Sequence, residues 1–418
     1  MSEYAGLGER KRGEGFSPQE KRILLLTSPC HFLTHMFVLV FPAATMPIAA
    51  TLDMPLEDVV KLSFFMYLLY GVGALPAGYI VDRWQARRMI LYGVYAMGTG
   101  LFLAGLFPSP HMIAASLLLV GVGASIYHPA GIALISRTVE RRGYALAVNG
   151  VYGNFGIAAA PLVTGVLTWL FSWQAAFMIL GAGCLGTAVL LGRIRVDETL
   201  RRQQETQAAD NGDYTKYFLI LCVGLVFAGL AYRGNMVLLP AYLELKTSFF
   251  RNFLESLSFM KPQGTGTLAA TILASLVSVM GVFGQLLGGK LADRYELRRA
   301  YLAVHAASLP FLLAMAFTDN YLLALCAGFY VMFSLGMQPI ENSLIAALTP
   351  SKWRSTGFAI KFILNFGLGS TVVYLIAVVK TRSSLEGVYV FLAGITLLLV
   401  LSIIGLILAS RSIRQIRN

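Results

Sequence analysis

The stretch Gly78-Tyr79-Ile80-Val81-Asp82-Arg83-Trp84-Gln85-Ala86-Arg87-Arg88 returns as Gly289-Lys290-Leu291-Ala292-Asp293-Arg294-Tyr295-Glu296-Leu297-Arg298-Arg299, displaced by 211 residues. In both copies a glycine, an Asp-Arg pair and a double arginine keep their spacing between two apolar runs. Other matches lie at nearly the same displacement. Asn154-Phe155-Gly156 corresponds to Asn365-Phe366-Gly367 at 211, and Tyr127-His128-Pro129 to Met337-Gln338-Pro339 at 210. The run from Val38 through Pro42 to Ala43 matches that from Met236 through Pro240 to Ala241 at 198, a shortfall that a longer connection after the seventh apolar run absorbs. One architecture is written twice in parallel. Internal repeats with a site between them are a mark of secondary transporters.

The rest of the chain fits a lipid environment. Of 418 residues, 57% are hydrophobic and 13% charged, and mean hydropathy is +0.68. An average soluble domain is about one quarter charged, so this apolar share cannot all be hidden inside a globule in water. A helix crosses the hydrocarbon core with about 20 apolar residues. Twelve runs qualify: 23–51, 59–81, 89–107, 112–136, 143–171, 173–191, 217–245, 267–292, 301–317, 321–348, 356–379 and 388–409. The expected organisation is a polar tail over 1–22, a six-helix half over 23–192, a charged linker over 193–216, a second half over 217–410 and a tail over 411–418. The first run is too long for a signal peptide and is expected to be retained.

Charge then sets the orientation. Of 33 Lys and Arg, 25 fall in the tails and in the loops on the side of the termini, and five fall on the other side. The remaining three, Lys61, Arg233 and Lys361, lie within runs. This asymmetry predicts both termini in the cytoplasm of a bacterial inner or plasma membrane. The net charge of +12 thus follows topology, and a nucleic-acid partner is not expected. Cys30, Cys184, Cys222 and Cys326 all sit in apolar stretches and read as free thiols. No HExxH, P-loop or GxSxG occurs in a strand–helix context, so no soluble enzyme and no cofactor are expected.

The G-x-x-x-D-R-x-x-x-R-R loop, present twice, resembles the signature loop of the major facilitator superfamily, with Gln85 and Glu296 where that loop usually has glycine. The resemblance covers nearly the whole chain. It implies an all-α membrane protein of twelve helices in two pseudo-symmetric halves, working by alternating access. It also implies an inner gate built from Gly78, Asp82, Arg83, Arg87 and Arg88 with Gly289, Asp293, Arg294, Arg298 and Arg299. In that reading Gly78 and Gly289 let helices approach, the aspartates face a helix N-terminus, and the arginines anchor at the anionic leaflet. The stretch from Gly156 through Ala160-Pro161 to Thr164-Gly165 resembles the antiporter pattern G-x-x-x-G-P-x-x-G-G, with Ala160 and Thr164 replacing glycines. Close packing and a kink would place the same residue types there. Tyr127-His128-Pro129 followed by Gly131 and Arg137 resembles the fosmidomycin-resistance branch.

Ionisable side chains inside a membrane are costly, about 2.5–3.5 kcal/mol each at a helix centre, and each is a site hypothesis. In the family fold, runs one, four, seven and ten line the cavity. His35, His128, Arg233 and Gln338 lie on those four runs, with His31 one turn from His35 and Asn342 one turn beyond Gln338. These six are the candidate substrate-binding residues. A guanidinium stays protonated and needs a partner, so Arg233 makes the cavity attractive to anions. Glu341, His35 and His128 are the deep groups able to exchange a proton; a histidine titrates near about 6.5. The structural alternative for Glu341 and Lys361 is a mutual ion pair, and Lys361 can also snorkel. The His31–His35 spacing suits Zn²⁺ or Fe²⁺, but no carboxylate on the first six runs completes a site, so no metal site is assigned. His305 reads as structural, and Asn149, Asn154 and Asn365 as interhelical hydrogen-bonding residues.

The resulting expectation is a monomeric secondary transporter exporting a small anionic or polar organic compound in exchange for protons. Proton-coupled uptake of a carboxylate or other anion, export of a divalent metal, and a non-transporting sensor or scaffold are the alternatives.

Overall fold

The computed structural model describes residues 16–198, 214–257, 263–349 and 354–411. Among them every regular element is helical. Most of the expected tails, the middle of the linker, Lys261 and Lys352 fall outside the described residues. The first crossing is α1 (Pro18–Ala43) continued by α2 (Thr45–Leu52), and the second is built from α3 (Leu56–Lys61), α4 (Phe64–Val72) and α5 (Ala74–Val81). Then come α6 (Ala86–Leu106), α7 (Pro110–Thr138), α8 (Arg142–Leu170) and α9 (Trp173–Leu191). The second half opens with α10 (Thr215–Lys246) and the short α11 (Phe249–Glu255), followed by α12 (Thr265–Arg294), α13 (Leu297–Ala314) and α14 (Asn320–Leu348). The eleventh crossing joins α15 (Arg354–Phe362) to α16 (Val372–Arg382) through a π turn at Ile363–Gly367 and a 3₁₀ turn at Leu368–Thr371. The last is α17 (Leu385–Ala409).

Eleven of these crossings are long and apolar enough to span a membrane. The twelfth is α13, whose 18 residues carry Arg298, Arg299 and His305 and so read as less apolar. It packs against α14 and α17 inside the second half. The first helix begins before its apolar run because Ser17 caps it: the Ser17 hydroxyl accepts from the Glu20 amide at 3.2 Å, and the Glu20 carboxylate accepts from the Ser17 amide at 2.7 Å. Such a cap is worth about 1 kcal/mol.

Packing repeats between the halves, with α6 against α7 and α9 in the first and α13 against α14 and α17 in the second. The halves meet along α8 and α12 and where α4 meets the π turn. Among the described residues, the polar bonds that cross this seam lie at mid-depth or toward the face away from the termini. Asn154 donates to Gln285 at 2.5 Å. Near the far face Lys380 Nζ lies 2.5 Å from Glu57 Oε2, and the rings of Phe64 and Tyr374 are 4.8 Å apart.

Proline placement explains one of these bonds. Pro161 interrupts the hydrogen-bond ladder of α8. In the next rung, Ser275 of α12 inserts its hydroxyl, accepting from the Leu162 amide at 2.9 Å and donating to the Ala158 carbonyl at 2.6 Å. Gly165 lies so close to Thr271 that a methyl group there would overlap its hydroxyl. The antiporter-like stretch therefore forms the seam between the halves.

Candidate substrate site and gate

At the centre of the bundle, α1 and α7 bring three expected site residues, His31, His35 and His128, near one another, α10 supplies Arg233, and α4 with the π turn supplies aromatic walls that sequence reasoning missed. His31 and His35 stand one turn apart on α1, with their Nε2 atoms 3.1 Å apart. His31 Nδ1 lies 2.9 Å from the Asn149 carbonyl oxygen of α8. Since that oxygen can only accept, the hydrogen is on Nδ1 and Nε2 is a bare lone pair. His128 approaches from α7, its ring 5.3 Å from those of both His31 and His35. The Tyr70 hydroxyl lies 3.0 Å from His128 Nε2. Tyr127 stacks on His31 at 4.7 Å and donates to the Asn149 side chain at 2.9 Å.

Arg233 of α10 is 2% exposed. Its guanidinium carbon lies 4.1 Å from the Tyr67 ring centre and 5.1 Å from that of Phe366. Its Nε has no hydrogen-bond partner, and no carboxylate forms an ion pair with it among the described residues. Two cation–π contacts return about 2 kcal/mol each when desolvated. Desolvating a cation costs several kcal/mol. The side chain is thus a buried cation with no anionic partner among the described residues.

The second half differs. Glu341 is fully buried, and Lys361 lies 2.8 Å from it, so the expected ion pair forms. Tyr301 donates to Glu341 at 2.7 Å and Asn365 at 3.2 Å. Lys361 also donates to Asn342 at 2.6 Å, which draws that expected substrate residue into the ion-pair network. Gln338 accepts from Gln285 at 2.9 Å, and Gln285 accepts from Asn154. Gln338 and Asn342 therefore stand apart from the histidines, and the polar quartet divides into three neighbourhoods. His305 packs edge-on to Tyr301 at 4.6 Å, inside the second half.

At the face of the termini, Asp82 meets Arg137 of α7 at 2.5 Å in place of a helix N-terminus. Arg87 donates to the carbonyls of Gly192 and Ile194, at 2.5 and 2.7 Å, just past α9. Its repeat mate Arg298 donates to the Ser410 carbonyl at 2.7 Å, just past α17, and pairs with Glu296. These two arginines hold the ends of the sixth and twelfth helices and are not lipid anchors. Arg83 lies over the Tyr79 ring, while Arg88, Asp293, Arg294 and Arg299 are exposed. The close-approach reading of the two loop glycines does not hold. Gly289 faces open space and Gly78 makes one ordinary contact with Pro129, whereas neighbouring Gly288 packs on Gly336.

Asp82 follows α5 and pairs with Arg137 in the last turn of α7, away from His128, so Asp82→Asn is expected to slow turnover severalfold while leaving substrate affinity within about twofold. Equilibrium binding and transport measured on one preparation check this. A large loss of affinity at unchanged turnover would refute the gating role.

Twelve crossings in two repeated halves, with polar groups buried between them, define a multi-pass membrane transporter, not an enzyme fold. The sequence profile described as Major Facilitator Superfamily matches residues 27–249. The chain belongs to that superfamily. It is 30% identical over 141 residues to the lincomycin resistance protein of Streptomyces lincolnensis, covering 32% of this chain and 29% of that one. It is 25% identical to plastidic glucose transporter 4 of Arabidopsis thaliana over 82% of this chain and 70% of that one. It is 22% identical to the probable sulfoacetate transporter SauU of Cupriavidus necator, covering 75% and 77% of the two chains. Among solved structures, a bacterial homologue of the human lysosomal transporter Spinster, inward-facing and occupied, aligns with a TM-score of 0.74 at 17% identity, over 97% of this chain and 99% of that one.

Proposed function

We propose that this protein is a proton-coupled exporter of a small anionic or polar organic compound, working as a monomer with both termini in the cytoplasm of a bacterial inner membrane. The observation that carries the reading is Arg233, a buried guanidinium facing aromatic rings with no carboxylate beside it. The gate is the terminal-face loop, centred on the Asp82–Arg137 contact and on Asp293. Export draws support from the Pro161 stretch at the seam and from the relative named for lincomycin resistance. An anionic cargo draws support from the relative named as a probable sulfoacetate transporter.

Glu341 is the proposed proton carrier. In this state Lys361 meets its charge. In a state where the two part, a proton is the other way to neutralise a carboxylate at that depth. The test is transport in proteoliposomes under an imposed pH gradient, for wild type, Glu341→Gln, His35→Gln and His128→Gln. Glu341→Gln is expected to lose gradient-driven transport and keep substrate exchange. Loss confined to a histidine variant moves the proton to that residue. Wild-type flux that ignores the pH gradient and follows sodium or voltage alone removes proton coupling.

A further inference from the structure

We propose that His31, His35 and His128 bind one divalent first-row transition-metal ion through neutral imidazole nitrogens. One ligand nitrogen from each residue lies within 4.8 Å of the others, and this is the one such group of metal-ligating side chains among the described residues. Binding requires the imidazoles to rotate until their nitrogens lie about 2.0–2.1 Å from a common point. Sequence spacing suggested the α1 pair and sought a carboxylate to complete it; the third ligand is a histidine from α7.

The surroundings are those of a built site. The Asn149 carbonyl fixes the hydrogen of His31 on Nδ1 and leaves Nε2 as a lone pair that faces His35 Nε2 at 3.1 Å, the outer-shell arrangement that orients a ligating histidine. Asn149 also receives Tyr127, whose ring backs His31. Tyr70 holds His128 from the other side. Residue 153 of α8 has no side chain: a Cβ there would stand 2.8 Å from His31 Nε2 and 3.0 Å from His35 Cδ2. Three imidazoles without an oxygen ligand favour zinc, copper, nickel or ferrous ions over magnesium or calcium. Phe366 and Tyr70 connect Arg233 to His128: the Phe366 ring is 5.1 Å from the guanidinium carbon and 4.8 Å from the Tyr70 ring, whose hydroxyl is 3.0 Å from His128 Nε2. The proposal requires nothing of the anion reading, because its donors are the three histidines alone.

The test uses the full-length protein in detergent, freed of metal by a chelator and titrated with Co²⁺, then with Zn²⁺. Wild type is expected to bind one Co²⁺ per chain with the strong ligand-field absorption of a four-coordinate site of three nitrogens and a water, displaced by Zn²⁺. His35→Gln and His128→Gln should each weaken binding more than tenfold. Gly153→Ala, which keeps all three ligands, should weaken it too, with circular dichroism confirming the fold. Absent saturable binding, a thiolate charge-transfer band, or equal affinity in the histidine variants overturns the site. Absence of Co²⁺ binding by wild type that still transports an anion overturns the metal site alone. Co²⁺ binding together with normal transport by Arg233→Ala supports the metal site and removes the anion reading.

Discussion

Replacing Arg233 by alanine is expected to abolish transport and to leave the folded protein as stable as wild type or more so. The two effects have one cause. The guanidinium is buried with its Nε unpartnered and is balanced by the rings of Tyr67 and Phe366 and by no carboxylate. Removing a buried charge that has no ion-pair partner among the described residues relieves its desolvation cost. Removing the cation proposed to meet an anionic substrate should cost about 2–5 kcal/mol of binding, at least about thirtyfold in affinity. Arg233→Lys keeps the charge but gives up the planar fork and the ring stacking, so it should recover only part of the activity. Thermal melting and proteoliposome flux on the same preparations check both halves. A wild-type rate in Arg233→Ala would end the anion-site reading.

Lys361→Ala should act oppositely, as the most destabilising single change in the second half. It leaves Glu341 buried with Tyr301 and Asn365 but without a cation. Breaking a buried pair from one side costs about 3–5 kcal/mol, because the other charge stays behind. The double change Lys361→Ala with Glu341→Gln removes that charge and should restore most of the lost melting temperature. Additive losses in the double variant would show that the two residues act independently.

Much of the architecture was legible because it is written in apolar run length and in the repeat of the Gly78 and Gly289 loops. The α13 boundary was less so: Arg298 and Arg299 lie in its first turn, where arginine stems read as loop. The centre was partly legible. Intramembrane charge singled out Arg233, and spacing joined His31 to His35. Nothing in spacing brings His128 to that pair, because the contact depends on how α7 crosses α1. The aromatic walls at Tyr67, Tyr70 and Phe366 look like any apolar residue of a membrane helix, and their role comes from the cation and imidazole beside them. The repeat misled at one point. It matched His128 with Gln338, but the two halves use those positions differently, one beside the other histidines and one in a glutamine–asparagine chain across the seam.

The Ser275 hydroxyl lodged in the α8 ladder has a consequence for the transport cycle. Its two bonds close the Leu162 amide and the Ala158 carbonyl on a residue belonging to the opposite half. When the halves part on that side, the Leu162 amide and the Ala158 carbonyl, four residues apart on α8, can close directly on each other as an ordinary helical rung. Parting exchanges a hydroxyl-bridged rung for a direct one, so the seam can open here without stranding a backbone polar group.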